Sequence, residues 1–191
     1  MSNGWDYLTR SSGLVATVLI VLALAWGLLF SARATGDRRR PNWWLDLHNY
    51  LGGLAFVFLI VHVAAAYEDD ITGIGLEQVF VPMTAEGWEW GITWGVLAMY
   101  AFAAVVFTSW PTKQLSRRAW LAVHLVSIPA TFVTAAHAWM VGSERDYFWF
   151  PALLALLTGI SIYPAVLRIV SVVEKRKQRR ERRTARGAAP S

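Results

Sequence analysis

The chemistry of this 191-residue chain starts with its four histidines, which come in two pairs. His48 and His62 stand fourteen residues apart in one apolar stretch (residues 47–66). His124 and His137 stand thirteen apart in another (residues 120–140). At about 1.5 Å of rise per residue, each pair spans roughly 20 Å of helix. That is two-thirds of a hydrocarbon core about 30 Å thick. Two such helices set side by side present two facing His–His pairs at two depths. A histidine on each side of a macrocycle is an axial ligand set for haem iron.

A single histidine in a spanning helix is most often a packing or hydrogen-bonding residue. Ionisable groups inside a membrane are nonetheless functional by default, and four with matched spacing and depth point to two haems. Helical phase supports only half of the pattern. Fourteen residues make almost four turns, so His48 and His62 share a face, whereas thirteen leave His124 and His137 out of phase. Pro129 lies between the latter two, and a proline removes a backbone hydrogen bond and kinks a helix. A local irregularity there would restore the alignment.

The elements that must carry these residues follow from composition. Hydrophobic residues make up 55% of the chain, above the 45–50% of ordinary soluble domains. Five runs are long and apolar enough to span a bilayer: residues 13–30, 43–67, 90–110, 119–141 and 148–173. The first lacks the basic flank and cleavage site of a secretory signal and is expected to be a retained span. An acidic segment, residues 68–89, follows the second span, and its apolar middle (71–83) is expected to form a short surface helix. There is no cysteine, which excludes thiolate-held iron–sulfur clusters, Cys-x-x-Cys-His haem attachment and disulfides.

Basic residues set the orientation. One side collects sixteen of the eighteen Lys and Arg, and the other keeps only Arg10 and Arg145 with nine of the thirteen acids. The expected fold is therefore an all-α, polytopic helical bundle in the cell (plasma or inner) membrane. Its short N-terminus (1–12) is outside, its five-helix domain covers 13–173, and its basic, disordered tail (174–191) is cytoplasmic. Spans two and four then run parallel. His48 pairs with His124 at the inner depth and His62 with His137 at the outer depth, and two stacked irons make a wire across the membrane.

Arg38, Arg39, Arg40, Arg117 and Arg118 stand where they would neutralise inner haem propionates, since guanidinium pairs well with carboxylate; topology alone is the competing explanation. Arg10 or Arg145 would serve the outer haem. Gly52 and Gly53 beside His48, Ala64–Ala66 after His62, and Ala135, Ala136 and Ala138 around His137 suit either a planar cofactor or close helix packing. Trp43, Trp44, Trp88, Trp90, Trp110 and Trp149 read as interfacial anchors. The basic tail suits anionic lipid, and no nucleic-acid partner is expected.

The segments "LHNYLGGLAFVFLIVHV" and "RRAWLAVHLVSIPATFVTAAHAWMVGS" resemble the haem-binding helices of the ferric reductase-like transmembrane domain superfamily. That superfamily includes ferric reductases, NADPH oxidases and the haem-bearing membrane subunit of the bacterial methionine sulfoxide reductase system. The likeness covers roughly residues 12–172 and is specific at the histidines. It implies two haem b groups held by His48, His62, His124 and His137, and electron transfer across the membrane. Many members have six spans where this chain has five. No Gly-x-Gly-x-x-Gly fingerprint occurs, so an oxidoreductase of this kind would lack its own flavin and NAD(P)H domain and act as an electron-transfer subunit.

Electrons are thus expected from a separate flavoprotein or from membrane quinol, and the acceptor outside would be a ferric complex, oxygen or a protein. One alternative is a quinone-reactive haem anchor of a larger complex, with Asp46, Asn49 and Tyr50 near His48 as candidate pocket residues. The other is a haem-free scaffold or transporter.

Overall fold

The computed structural model describes residues 4–32, 42–70, 72–109 and 115–187. Among them the chain is all-helical: α1 (Gly4–Ala32), α2 (Trp43–Glu68), α3 (Leu76–Phe80), α4 (Glu89–Ser109), α5 (Arg117–Leu125), α6 (Ser127–Val141) and α7 (Trp149–Gly187). Five spans are long and apolar enough to cross a membrane: α1, α2, α4, α5 with α6, and the first part of α7. The short helix expected within 71–83 is α3. Its segment folds back along α4, where the Met83 N–H donates to Thr93 Oγ1 at 2.8 Å and the Tyr100 hydroxyl to the Phe80 carbonyl at 2.6 Å.

Helix α1 starts nine residues before its apolar run, and a polar cluster explains the extension. Arg10 donates to Asp6 one turn earlier at 2.7 Å and to Glu144 in the α6–α7 turn at 3.0 Å. The first turns are thereby tied to the same end of the bundle. At its other end, the Arg168 guanidinium donates to the Ser31 carbonyl at 3.1 Å, satisfying a helix terminus that hydrocarbon would leave costly. Between these ties α1 is the hub, packing against α2, α6 and α7 and burying Ala16, Ile20, Val21, Ala23, Leu24 and Leu28. Helix α7 runs on to Gly187, through the basic segment that composition alone makes disordered. Lys, Arg, Glu and Gln dominate that segment, and all are good helix formers.

The fourth span is broken where its proline acts. Pro129 has no N–H to offer the Leu125 carbonyl, and its ring crowds that same oxygen. Helix α5 ends at Leu125 and α6 begins at Ser127. Between them the Val126 N–H takes a tight bond to the Val123 carbonyl at 3.0 Å, and the regular pattern resumes with Ala130 N–H on the Val126 carbonyl, also 3.0 Å.

The packing is uneven in a way that matters. Helix α2 lies on α1, and α6 lies on α4. No Cα of α2 comes within 8 Å of one in α5 or α6, although packed helix axes normally sit 8–10 Å apart. The most apolar window of α1 has 39% of its residues buried, against 17% for α2 and 11% for α5–α6. The two histidine-bearing spans are the least covered by protein. Because the chain is free of cysteine, spin labels can be placed at the exposed positions 121 and 139, on either side of the break. Pro129→Ala, which restores the missing N–H, is expected to lengthen that distance as the span straightens; an unchanged distance would assign the break to packing instead of to the proline.

Candidate cofactor site

All four histidines reach into the space between α2 and α5–α6. His48 and His62 lie on one face of α2, and His124 and His137, on either side of the break at Val126, meet them. The His48 and His124 ring centroids are 5.9 Å apart with planes at 63°, and those of His62 and His137 are 6.2 Å apart at 79°. The pairing is the one expected from sequence. These side chains are the bridge across a gap that the backbones leave open.

Each imidazole is fixed by its other nitrogen. His48 Nδ1 lies 3.0 Å from the Ala23 carbonyl, His62 Nδ1 2.8 Å from the Thr9 carbonyl, and His137 Nδ1 2.8 Å from the Gly91 carbonyl. A carbonyl only accepts, so the proton resides on Nδ1 and Nε2 keeps its lone pair. Metal-ligating histidines are held in this way. His124 differs: its Nδ1 lies 3.3 Å from Ser109 Oγ.

The three main-chain seats share one construction. A helical carbonyl at residue i is flanked by the residue at i+4, whose N–H it accepts. In each seat that residue is glycine: Thr9 with Gly13, Ala23 with Gly27, Gly91 with Gly95. A Cβ on Gly13 would stand 2.8 Å from His62 Nδ1, one on Gly27 2.9 Å from His48 Cε1, and one on Gly95 2.7 Å from His137 Nδ1. The absent side chain lets the imidazole reach the carbonyl. These glycines escape a reading that looks only beside the histidines. A signal was there: Gly13 and Gly27 repeat on α1 the fourteen-residue spacing of His48 and His62.

Other predicted residues fall less centrally. Arg38, Arg39 and Arg40 lie outside the described residues. Arg117 and Arg118 are exposed on the first turn of α5; Arg117 is seven residues before His124 and shares its face, while Arg118 does not. Arg10 is engaged by Asp6 and Glu144. Ala65 and Ala66 are buried against protein and serve packing. Asp46, Asn49 and Tyr50 are exposed and turned at least about 100° around α2 from His48.

Do the residues fit haem? A metal–imidazole bond is about 2 Å, and the ring centre lies roughly 1 Å behind the nitrogen, so two coaxial imidazoles on one iron have centroids about 6 Å apart. Both pairs match. Simple aromatic pairing gives similar separations, so the fit rests equally on the fixed Nδ1 protons and on room between the helices. A Cβ added to Gly52, one turn after His48 and on its side of α2, would meet nothing within 4 Å. Trp44 Nε1, one turn before His48, and Thr9 Oγ1, on the residue that seats His62, are buried with no partner among the described residues. Two protein ligands per site suit a cofactor that brings its own equatorial donors; among the described residues no group of three His, Asp or Glu could hold a bare ion.

Two kinds of glycine therefore predict two kinds of damage. Gly27→Ala and Gly95→Ala overpack a filled seat and should cost about 1–3 kcal/mol of stability even in apoprotein, read by thermal unfolding. Gly52→Ala should leave apoprotein stability within about 0.5 kcal/mol of wild type and reduce retention of haem. Equal effects at both kinds of position would contradict the distinction.

Residues 12–135 match the family model described as the ferric reductase like transmembrane component. A curated relative, the protein-methionine-sulfoxide reductase heme-binding subunit MsrQ of Rhodospirillum rubrum, is 27% identical over 164 aligned residues, covering 75% of this chain and 71% of that protein. With well over half of its length matched and five apolar spans in place, the chain is a multi-pass membrane protein that belongs to the ferric reductase like transmembrane component family.

Proposed function

We propose that the chain is a membrane cytochrome subunit that binds two haem b groups, one at His48/His124 and one at His62/His137, and passes electrons across the bilayer. The observation that carries this reading is the pair of His–His sites, each reached from two helices whose Cα atoms stay more than 8 Å apart, with the Nδ1 protons of three rings held by main-chain carbonyls. The relative's description as a heme-binding subunit supports the cofactor. The haem-binding domain is taken as residues 13–173.

Haem, when bound, supplies the one-electron iron couple. The chain's own residues do the rest. His48, His62, His124 and His137 present Nε2 lone pairs. The seats keep those nitrogens aimed, and the apolar spans exclude water. Trp44, Thr9, Arg117 and the Arg38–Arg40 segment are the candidates to meet propionates. By the distribution of Lys and Arg, the N-terminus lies outside and the end of α7 in the cytoplasm. That orientation makes His48/His124 the inner site and His62/His137 the outer one. Electrons would enter from a separate flavoprotein or from quinol and leave to a ferric complex, oxygen or a protein outside. The basic tail from residue 174 would bind anionic lipid.

The test is an optical spectrum of the purified protein, oxidised and dithionite-reduced, with a pyridine haemochrome count. Two haem b per chain are expected, with one lost in His48→Ala and one in His62→Ala. A protein without a Soret band after expression with ample haem would overturn the proposal and favour a haem-free scaffold.

A further inference from the structure

We propose that Ser109 and Trp120 are positioning residues that set the ligand strength of His124, so that the haem at His48/His124 has a redox couple distinct from the one at His62/His137. The inference rests on the di-haem reading above and goes beyond it by assigning a tuning device to one site only.

Three of the four imidazoles direct Nδ1–H to a carbonyl within an apolar helix, at 2.8, 2.8 and 3.0 Å. His124 is the exception. With its Nε2 given to iron, as the di-haem reading requires, its Nδ1–H faces the hydroxyl oxygen of Ser109, the last residue of α4, at 3.3 Å. The same oxygen also accepts the indole N–H of Trp120 at 3.3 Å. Trp120 lies one turn before His124 and stacks on its ring, with centroids 4.8 Å apart and planes at 22°. A serine ending a span would ordinarily turn its hydroxyl back onto its own helix, as neighbouring Thr108 does to the Ala104 carbonyl at 2.6 Å. Ser109 Oγ instead faces α5 and joins two side chains there.

The consequence is electronic. When the outer nitrogen of a ligating imidazole gives its proton to a good acceptor, the ligating nitrogen becomes more basic. A more basic ligand favours the oxidised iron and lowers its potential, and hydrogen bonding of this kind is one of the protein's levers on a haem couple. A hydroxyl oxygen shared between two N–H donors at 3.3 Å draws less on the Nδ1 proton than a carbonyl at 2.8 Å. His124 is accordingly the weakest donor of the four. From this cause the haem it shares with His48 is the more easily reduced.

The roles of the two residues are opposite, which makes the device testable. Ser109→Ala removes the acceptor and should raise the midpoint of one haem, the one missing in His48→Ala, while leaving the other fixed. Ser109→Thr keeps the hydroxyl and should restore the wild-type value. Trp120→Phe keeps a stacked ring but frees Ser109 Oγ to serve His124 alone, and should shift the same midpoint downward. The experiment is a redox titration of the purified, haem-loaded protein followed optically, with low-temperature EPR to resolve the two low-spin ferric signals and a haemochrome count on every sample. If both haems are present and Ser109→Ala moves neither midpoint, or moves both alike, the proposal is overturned while the di-haem reading stands. A wild-type protein that does not hold two haems overturns both.

Discussion

A helical carbonyl inside a membrane is already committed to the N–H four residues on, and an imidazole packed against it must place its own Nδ1 proton somewhere. The structure meets both demands at once by letting the carbonyl accept twice. That requires the ring to approach along the helix surface, where a Cβ at i+4 would block it. Glycine at positions 13, 27 and 95 is the consequence. Leaving a polar group unpaired in hydrocarbon costs several kcal/mol, so the seats make half-buried histidines tolerable in the spans and aim their free nitrogens at the same time.

The seats also dictate which helices pack. His48 and His62 are both held by α1, so α2 lies along α1. His137 is held by α4, so α6 lies along α4. Neither histidine span leans on the other; each is supported from behind and offers its ligands forward. The low burial of these two spans would be a weakness in an ordinary bundle. In a protein that closes around a planar cofactor it is the expected division of labour, with backbone packing behind the ligands and cofactor packing in front of them. The Phe56–Phe107 contact, 5.6 Å between ring centroids, joins α2 to α4 on the stretch between the two pairs.

The two ends of the bundle are secured differently. At the end bearing Thr9 and Gly91, charged groups close the structure, with Arg10 between Asp6 and Glu144. At the other, aromatic rings do so: Trp26 stacks on Trp44 at 4.5 Å and donates its N–H to the Trp44 carbonyl at 2.9 Å. The site nearest the aromatic end is also the one with the irregular ligand seat. Its second histidine, His124, sits in the short helix α5, across the proline break from α6, and faces the Ser109 hydroxyl in place of a carbonyl–glycine seat.

Much of this was legible in the chain itself. Hydrophobic runs of spanning length determined five helices, because hydrocarbon admits no unpaired backbone and leaves the helix as the local solution. The spacing of His48 and His62 determined that they share a face, because that follows from helical pitch alone. The identity of the four ligand candidates and their pairing followed as well. Three things needed the tertiary structure. The realignment of His124 with His137 depends on how far the break at Val126 turns one helix against the next, and Pro129 announces a disturbance without fixing its angle. The seats depend on which helix lies behind each histidine, and the sequence of α2 carries no mark of its neighbour. The open space before Gly52 is a relation between helices whose backbones stay apart. Helical periodicity is a property of one segment and can be read from one segment; a hydrogen bond from His62 to Thr9, fifty-three residues away, exists only once the chain has brought them together.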